Sequence, residues 1–158
     1  MPACSPRSRE SVESGTPLVS VGIPTFNRPE GLRRTLEYIT GQTYKNIEII
    51  VSDNASTDPM VRNILNEFSA LDKRIRFFIQ EKNIGAIANF QFVFEQASGE
   101  YFMWASDDDS WHESFIAELV SGLQKATGAI VAFCDFQIVL EDGSPAPGFP
   151  RQRLKYLL

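Results

Sequence analysis

The chain has few of the residues that build disulfide frameworks and zinc sites. It contains two cysteines, Cys4 in a polar leader and Cys134 in an apolar run, and one histidine, His112. Two cysteines in such different surroundings indicate neither a disulfide framework nor a zinc cluster. This usage is typical of a reducing compartment. We therefore predict a cytoplasmic location, with attachment to the inner face of a membrane only through regions outside this chain.

The sequence also lacks an excess of positive charge and a long apolar run. Its formal net charge is -5 and its pI is near 4.9, which argues against a broad electrostatic contact with nucleic acid or an anionic membrane. No apolar run is long enough to span a bilayer, and the leader has no apolar centre of the kind found in signal peptides. Small molecules and carbohydrates remain as partners.

The length and composition predict one folded domain. A chain of 158 residues with 43% hydrophobic content can bury one sizeable core. We expect a disordered leader over residues 1–16, the domain over 17–140, and an irregular tail over 141–158. The tail is rich in glycine and proline and ends on apolar residues, as the start of a missing region would.

Apolar periodicity predicts strands that alternate with helices. The strands are expected at 18–24, 46–52, 75–79, 101–105 and 130–133, and the helices at 28–41, 59–71, 86–97 and 113–126. This alternation is typical of an α/β fold with a mainly parallel sheet and helices on both faces. Ligands of such folds bind at the carboxyl ends of the strands.

Three adjacent carboxylates, Asp107, Asp108 and Asp109, follow the expected strand at 101–105. Carboxylates this close repel one another unless a cation, a hydrogen-bond network or solvent relieves the repulsion. Their hard oxygen atoms suit Mg²⁺ or Mn²⁺, which keep open positions for substrate phosphates. A solvated acidic loop that caps the next helix is the alternative.

The segments "VSVGIPTFNRPEGLRRTLEYITGQTYKNIEIIVSDNASTD", "NIGAIANF" and "GEYFMWASDDDSW" occur in this order between Leu18 and Trp111. Together they resemble family 2 glycosyltransferases, which have the GT-A fold. The resemblance implies that this region, Rossmann-like in fold, binds a nucleotide-diphosphate sugar with Mn²⁺ or Mg²⁺ at a DXD-type motif. It also implies inverting transfer of the sugar, in polysaccharide biosynthesis, to an acceptor such as a glycan or a lipid-linked sugar.

The resemblance also implies roles for single residues. Asp108 and Asp109 match the last two positions of the family's D-x-D-D motif and are the expected metal ligands. Ser106 stands where the family has its first aspartate, so Asp107 is the expected substitute for the ribose contact. The full set expected to bind the nucleotide sugar is Pro24, Thr25, Phe26, Asn27, Arg28, Asp53, Asn54, Asn83, Gly85 and Asp107.

Several of these residues have a second interpretation. Asp53 and Asn54 stand where many relatives carry paired aspartates and could accept a hydrogen bond from a ring N–H of uracil, thymine or guanine. Alternatively, Asp53 or Ser56 could cap the following helix. Phe26 could stack on the base or simply pack. Asn83 and Gly85 match an Asn-x-Gly turn near the diphosphate, which alone would be an ordinary helix entry.

Other conspicuous side chains favour structural interpretations. We expect His112 on the surface, Trp104 and Trp111 packed against the core, and Asp135 in a loop-capping role. Cys134, between two phenylalanines, is expected to be a small buried hydrophobic residue.

No catalytic base can be assigned. In the resembled family the base and the acceptor-binding region lie well downstream of the acidic motif, which here places them beyond Leu158. The alternatives are a sugar nucleotidyltransferase, a receiver-like module that binds Mg²⁺, and a donor-binding domain without catalysis. The first would need a Gly-rich basic loop after the first strand, which "PTFNRPEG" is not. The second would need a lysine soon after the strand at 130–133.

Overall fold

A computed structural model of the protein describes residues 15–140 and 144–147. The predicted leader lies outside the described residues except for its last two positions, and the predicted tail does so except for 144–147. The described chain divides into two compact units. The first contains residues 15–40 and 45–110, and the second contains 41–44 and the residues from 111 onward. The domain predicted over 17–140 stays a prediction.

The first unit is a four-stranded parallel sheet with three helices. Its strands are β1 (Val19–Thr25), β2 (Ile47–Asp53), β3 (Ile75–Ile79) and β4 (Tyr101–Trp104), in the spatial order β3-β2-β1-β4. Its helices are α1 (Pro29–Thr40), α2 (Pro59–Leu71) and α3 (Ala86–Glu95). Each strand pairing is parallel. The predicted α/β class is confirmed.

The strand order places loops from distant parts of the sequence at one edge of the sheet. The chain moves outward from β1 to β2 and β3, then returns to pair β4 with the other side of β1. Because such crossovers are right-handed, α1 and α2 cover one face and α3 covers the other. Thr25 at the end of β1 is in register with Asp53 at the end of β2. Strand β4 ends earlier, with Trp104 in register with Gly22, and the chain after it continues toward Thr25.

The core of this unit follows from the apolar periodicity of its elements. Helix α1 buries Leu32, Leu36 and Ile39 completely, at the spacing of one helix face. On the other face Val93 of α3 and Phe102 of β4 pack over Gly22, where an added Cβ would come within 2.8 and 2.7 Å of their side chains. Each fully buried aliphatic side chain contributes roughly 1.5–3 kcal/mol to folding.

The second unit contains α4 (Phe115–Lys125). Gln42, fully buried, donates from Nε2 to the carbonyl of His112 at 2.8 Å and accepts from the backbone N–H of Ile116 at 3.1 Å. An isolated antiparallel bridge joins Val139 to Pro145. No helix among the described residues has the length and apolarity that a membrane crossing requires.

Two expectations for this unit are wrong. Residues 130–133 form no strand, and Ile130 is 78% exposed. A short apolar run becomes a strand only when another strand takes up its backbone hydrogen bonds, and within the described residues no ladder reaches this run. Cys134 is exposed rather than buried for the same reason. His112 is exposed, as predicted.

Trp104 differs from its prediction as well. Its side chain is half exposed on β4 instead of buried in the core. The ring contacts Phe90, Phe94 and Phe102, and the indole N–H donates to the carbonyl of Phe90 at 3.1 Å. Trp104 thus makes aromatic contacts without being buried, because β4 pairs with β1 alone among the described strands.

Candidate functional site

A cavity of about 330 Å³ opens at the carboxyl ends of β1 and β2 in the first unit. It brings together much of the predicted set, namely Pro24, Thr25, Phe26, Arg28, Asn54, Asn83 and Asp107. Three further lining residues, Ala86, Asn89 and Phe90, belong to α3 and were not predicted. Their spacing of three and four residues places them on one helix face, so the periodicity of α3 was the signal that could have found them.

Asp107 is held firmly at the wall of this cavity. Its Oδ2 accepts from the Thr25 hydroxyl at 3.0 Å, and its Oδ1 accepts from Nη1 of Arg28 at 3.1 Å. The residue is 8% exposed. A carboxylate buried this deeply is stable when charged donors and hydroxyls satisfy it, and here both carboxylate oxygens have a donor.

Asp108 is more exposed and shares the same arginine. Its Oδ2 accepts from Nη1 of Arg28 at 3.2 Å, and its Oδ1 accepts from the Ser106 hydroxyl. The hydrogen bond from Ser106, followed by the guanidinium of Arg28, lowers the pKa of Asp108. Burial, together with the charge of Asp108, raises the pKa of Asp109. Asp107 and Asp108 raise the pKa of Arg28 in turn.

Helix α1 fixes the backbone of residues 106–109, which we call the acidic loop. The Thr35 hydroxyl donates to the carbonyl of Ser106 at 3.1 Å. One turn earlier, a Cβ added at Gly31 would lie 2.1 Å from the carbonyl oxygen of Asp107. The loop therefore approaches α1 so closely that only glycine fits at position 31. Sequence reasoning missed this role because a glycine inside a helix carries no sign of the chain that passes over it.

Asn27 joins the loop after β1 to the loop after β2. Its Oδ1 accepts from the backbone N–H of Thr57 at 2.8 Å, and its own N–H donates to the Ser56 hydroxyl at 2.8 Å. Asn27 has φ of 53° and Ala55 has φ of 61°. Such left-handed conformations cost free energy in non-glycine residues and collect at functional sites. Asn27 does not line the cavity but sets the relative position of two loops that do.

Asp53 and Asn54 are both buried, and both side chains accept hydrogen bonds from backbone N–H groups. Asp53 Oδ1 accepts from the N–H of Ser56 at 3.0 Å, which closes the loop, while the N-cap of α2 is Asp58. Asn54 accepts from the N–H of Ile84 at 2.8 Å and donates to Asn83 Oδ1 at 3.1 Å. Asn54 therefore positions the Asn83 turn, and the predicted contact with a base stays a prediction.

The N-terminus of α3 opens onto the cavity. Gly85, with φ of 86°, precedes the helix and provides no side-chain cap. Its N–H donates to Asn83 Oδ1 at 2.8 Å. The first N–H groups of a helix lack partners within the helix, and the helix dipole favours anions there. Asn89 fastens α3 to β2 by donating to the carbonyl of Ser52 at 3.0 Å and accepting from its hydroxyl at 2.6 Å.

The acidic loop fits a divalent cation that brings part of its own shell. Among the described residues no three His, Cys, Asp or Glu side chains gather into a metal cluster. Mg²⁺ and Mn²⁺ are commonly held by one or two carboxylates, with water and substrate phosphates completing the coordination. Asp108, together with Asp107 or Asp109, supplies a donor set of this kind.

A second groove, of about 510 Å³, runs along α3 beside the cavity. It is lined by Ala86, Ile87, Phe90, Gln91, Phe94 and Trp104. We call it the aromatic groove. Ala86 and Phe90 line the groove and the cavity alike, so the two share a wall.

Comparison with known proteins places this geometry in a class. The model of the family "Glycosyl transferase family 2" matches residues 20–147. The solved mannosyltransferase PcManGT from Pyrobaculum calidifontis, in complex with GDP-Man and Mn²⁺, superposes with a TM-score of 0.64 at 22% identity. The match covers 74% of this chain and 36% of that one. S. aureus TarS 1–349 in complex with UDP superposes with a TM-score of 0.62 at 18% identity. That match covers 79% of this chain and 42% of the other. These likenesses show the GT-A fold.

The chain belongs to glycosyltransferase family 2. A Bacillus subtilis glycosyltransferase named for teichuronic acid biosynthesis is 29% identical over 84% of this chain and 52% of its own length. The GalNAc(5)-diNAcBac-PP-undecaprenol beta-1,3-glucosyltransferase of Campylobacter jejuni is 31% identical over 75% of this chain and 38% of its own length. The chain thus spans about half of the first relative and less of the second. The predicted family is confirmed.

Proposed function

We propose that the cavity of the first unit binds a nucleotide-diphosphate sugar and that the protein transfers the sugar to an acceptor. The observation that carries this proposal is the convergence of three loops, from 24–28, 53–58 and 106–109, around the cavity and its acidic wall. Family membership supports the reaction class, and relatives of the same fold are solved with GDP-Man and UDP.

The diphosphate lies, in this proposal, between Arg28 and the N-terminus of α3. A guanidinium presents paired N–H donors that match phosphate oxygens, and free N–H groups at the helix start add further donors. Phe26, 42% exposed at the mouth of the cavity, is available to stack on the base. Asp107 is proposed to accept from the ribose.

Asp108, with Asp107 or Asp109, would hold Mn²⁺ or Mg²⁺ when the nucleotide is present. When bound, the cation supplies neutralisation of the charge that develops on the β-phosphate as the nucleotide leaves. The relative solved with GDP-Man also contains Mn²⁺, which supports the choice of ion.

We further propose that transfer inverts the anomeric carbon. Such a displacement requires a carboxylate that takes the proton of the acceptor hydroxyl. The base is proposed to lie in an acceptor-binding region outside the part matched here, since the match covers 52% and 38% of two longer relatives. The acceptor is proposed to be a glycan or a lipid-linked sugar, in polysaccharide biosynthesis. The Campylobacter relative, named for an undecaprenol-linked substrate, supports the second.

Calorimetric titration with UDP, GDP and ADP, in Mn²⁺ and in EDTA, tests this proposal. UDP or GDP should bind in the presence of Mn²⁺ and more weakly in EDTA. ADP should bind least, because adenine has no ring N–H on its pairing edge for the predicted contact with Asp53 or Asn54. Asp108→Asn should weaken binding roughly ten- to a hundredfold, as expected for loss of a charged contact.

Glu37→Gln is the matched control, because it also removes one negative charge, from an exposed position on α1. It should leave the affinity unchanged. Nucleotide affinity that ignores both EDTA and Asp108→Asn would overturn the metal assignment. Absence of binding to any of the three nucleotides would overturn the proposed function.

A further inference from the structure

One nitrogen of Arg28 serves two carboxylates at once. Nη1 lies 3.1 Å from Asp107 Oδ1 and 3.2 Å from Asp108 Oδ2. Two adjacent aspartates repel each other when both are ionised, and a cation between them relieves that repulsion. Arg28 is thus the counter-ion of the acidic loop in the protein without ligands.

The two carboxylates differ in their freedom to move. The Asp107 side chain is 10% exposed and is also bonded to Thr25, whereas the Asp108 side chain is 60% exposed. The Arg28 side chain is 54% exposed. The contact between Arg28 and Asp108 is therefore solvated at both ends, and solvated ion pairs contribute little net stability. Arg28 can therefore leave Asp108 at a small cost in free energy, while Asp107 stays in place.

A divalent cation and the guanidinium compete for the same atom. Both oxygens of Asp108 already accept hydrogen bonds, Oδ1 from the Ser106 hydroxyl and Oδ2 from Nη1 of Arg28, so a metal bound at Oδ2 would meet the guanidinium. Two cations at one oxygen repel strongly at such distances. Metal binding at Oδ2 therefore requires Arg28 to move away from Asp108. Because Arg28 lines the cavity, its released guanidinium has the diphosphate as a nearby bidentate partner.

We propose that Arg28 is an exchangeable counter-ion that pairs with Asp107 and Asp108 and moves to the diphosphate when the metal and the nucleotide bind. This inference rests on the proposed function. Its thermodynamic consequence is coupling. The nucleotide draws Arg28 away from Asp108 and so strengthens metal binding, and by linkage the metal strengthens nucleotide binding by the same factor. A site of this kind binds metal poorly until its donor substrate is present.

The test is a titration with Mn²⁺, in which electron paramagnetic resonance measures the free ion. The titration is done first without nucleotide and then in saturating UDP or GDP. Without nucleotide, Arg28→Gln should bind Mn²⁺ more tightly than the wild type, by roughly three- to tenfold, about 0.7–1.4 kcal/mol. With Mn²⁺ present, the same variant should bind nucleotide roughly tenfold more weakly. The coupling between the two ligands should shrink accordingly.

Arg33→Gln is the matched control, since it removes one positive charge from α1 where Arg33 pairs with Glu67. It should change neither affinity. Arg28→Lys, which keeps the charge, should retain the weak Mn²⁺ binding of the wild type. Thermal unfolding of each variant separates these effects from loss of fold.

Two results would contradict the exchange. If Arg28→Gln binds Mn²⁺ alone no more tightly than the wild type, Arg28 does not compete with the metal. If nucleotide affinity is unaffected, Arg28 does not move to the diphosphate. If the wild type binds no nucleotide, the proposed function is refuted, and so is the proposed movement of Arg28 to the diphosphate. The competition at Asp108 is then still decided by the Mn²⁺ titration alone.

Discussion

At the scale of single residues, the site depends on uncharged residues that hold its loops and helices in place. Gly31 and Thr35 on α1 hold the backbone of the acidic loop, and Asn89 ties α3 to β2. The sequence predicts the residues that carry charge, because aspartate and arginine in such patterns suggest their own chemistry. It does not predict these supporting residues, since their roles depend on contacts with residues 37 to 76 positions away.

Gly31→Ala should displace the acidic loop. The added Cβ would meet the carbonyl of Asp107 at 2.1 Å, so the loop must move, even though alanine favours a helix by roughly 1 kcal/mol over glycine. We expect nucleotide affinity in Mn²⁺ to fall roughly tenfold or more, measured by calorimetry. Gly122→Ala in α4 is the control, because its Cβ meets nothing within 4 Å. Equal affinities in both variants would contradict this role.

At the scale of elements, the periodicity of the sequence predicted the first unit well. The observed bounds of α2 and β3 match the expected ones, and those of the other elements differ by at most two residues at either end. These elements bury a continuous apolar face, so pattern and packing agree. The prediction failed at 130–133, where the apolar run has no ladder partner in the described chain. Apolarity indicates that a segment could be buried and does not identify its partner.

At the same scale, Asn27 joins the loops after β1 and β2, and we call this contact the joint. Asn27→Ala should remove the acceptor for the N–H groups of Thr57 and Asp58, and alanine tolerates φ of 53° less well than asparagine. We expect a loss of roughly 1–3 kcal/mol in the free energy of unfolding, measured in urea, together with weaker nucleotide binding.

Asn66→Ala on the exposed face of α2 serves as the reference for this change. It removes the same amide where it holds no loop, and it should leave both quantities nearly unchanged. If Asn27→Ala behaves like Asn66→Ala, the joint is not needed to shape the cavity.

At the scale of the whole molecule, stability should depend on pH through Glu48, at the opposite end of the sheet from the cavity. Burial raises the pKa of Glu48, but hydrogen bonds from Ser20, Ser98 and Arg76 outweigh burial and lower the pKa to about 2. A carboxylate with a lowered pKa stabilises the fold above its unfolded pKa of 4.5. That stabilisation is lost as the pH falls from about 4.5 through about 2.

Glu48→Gln should therefore destabilise the protein at pH 7, by roughly 3 kcal/mol at most, and the difference from the wild type should shrink as the pH falls below 4.5. Chemical unfolding followed by circular dichroism from pH 7 to pH 2 measures it. Glu67→Gln, at an exposed pair with Arg33, should show a much smaller dependence because solvent screens that pair. A pH-independent difference for Glu48→Gln would contradict the assignment.

The aromatic groove has a consequence for self-association. Strand β4 pairs on one side only among the described residues. Trp104 at its end and Phe94 of α3 are about half exposed. Open strand edges and apolar patches are the surfaces through which copies of a protein adhere to one another. Because Ala86 and Phe90 belong to the groove and the cavity alike, such adhesion would narrow the entrance to the cavity in which we propose that the nucleotide binds. Apparent affinity would then fall as protein concentration rises.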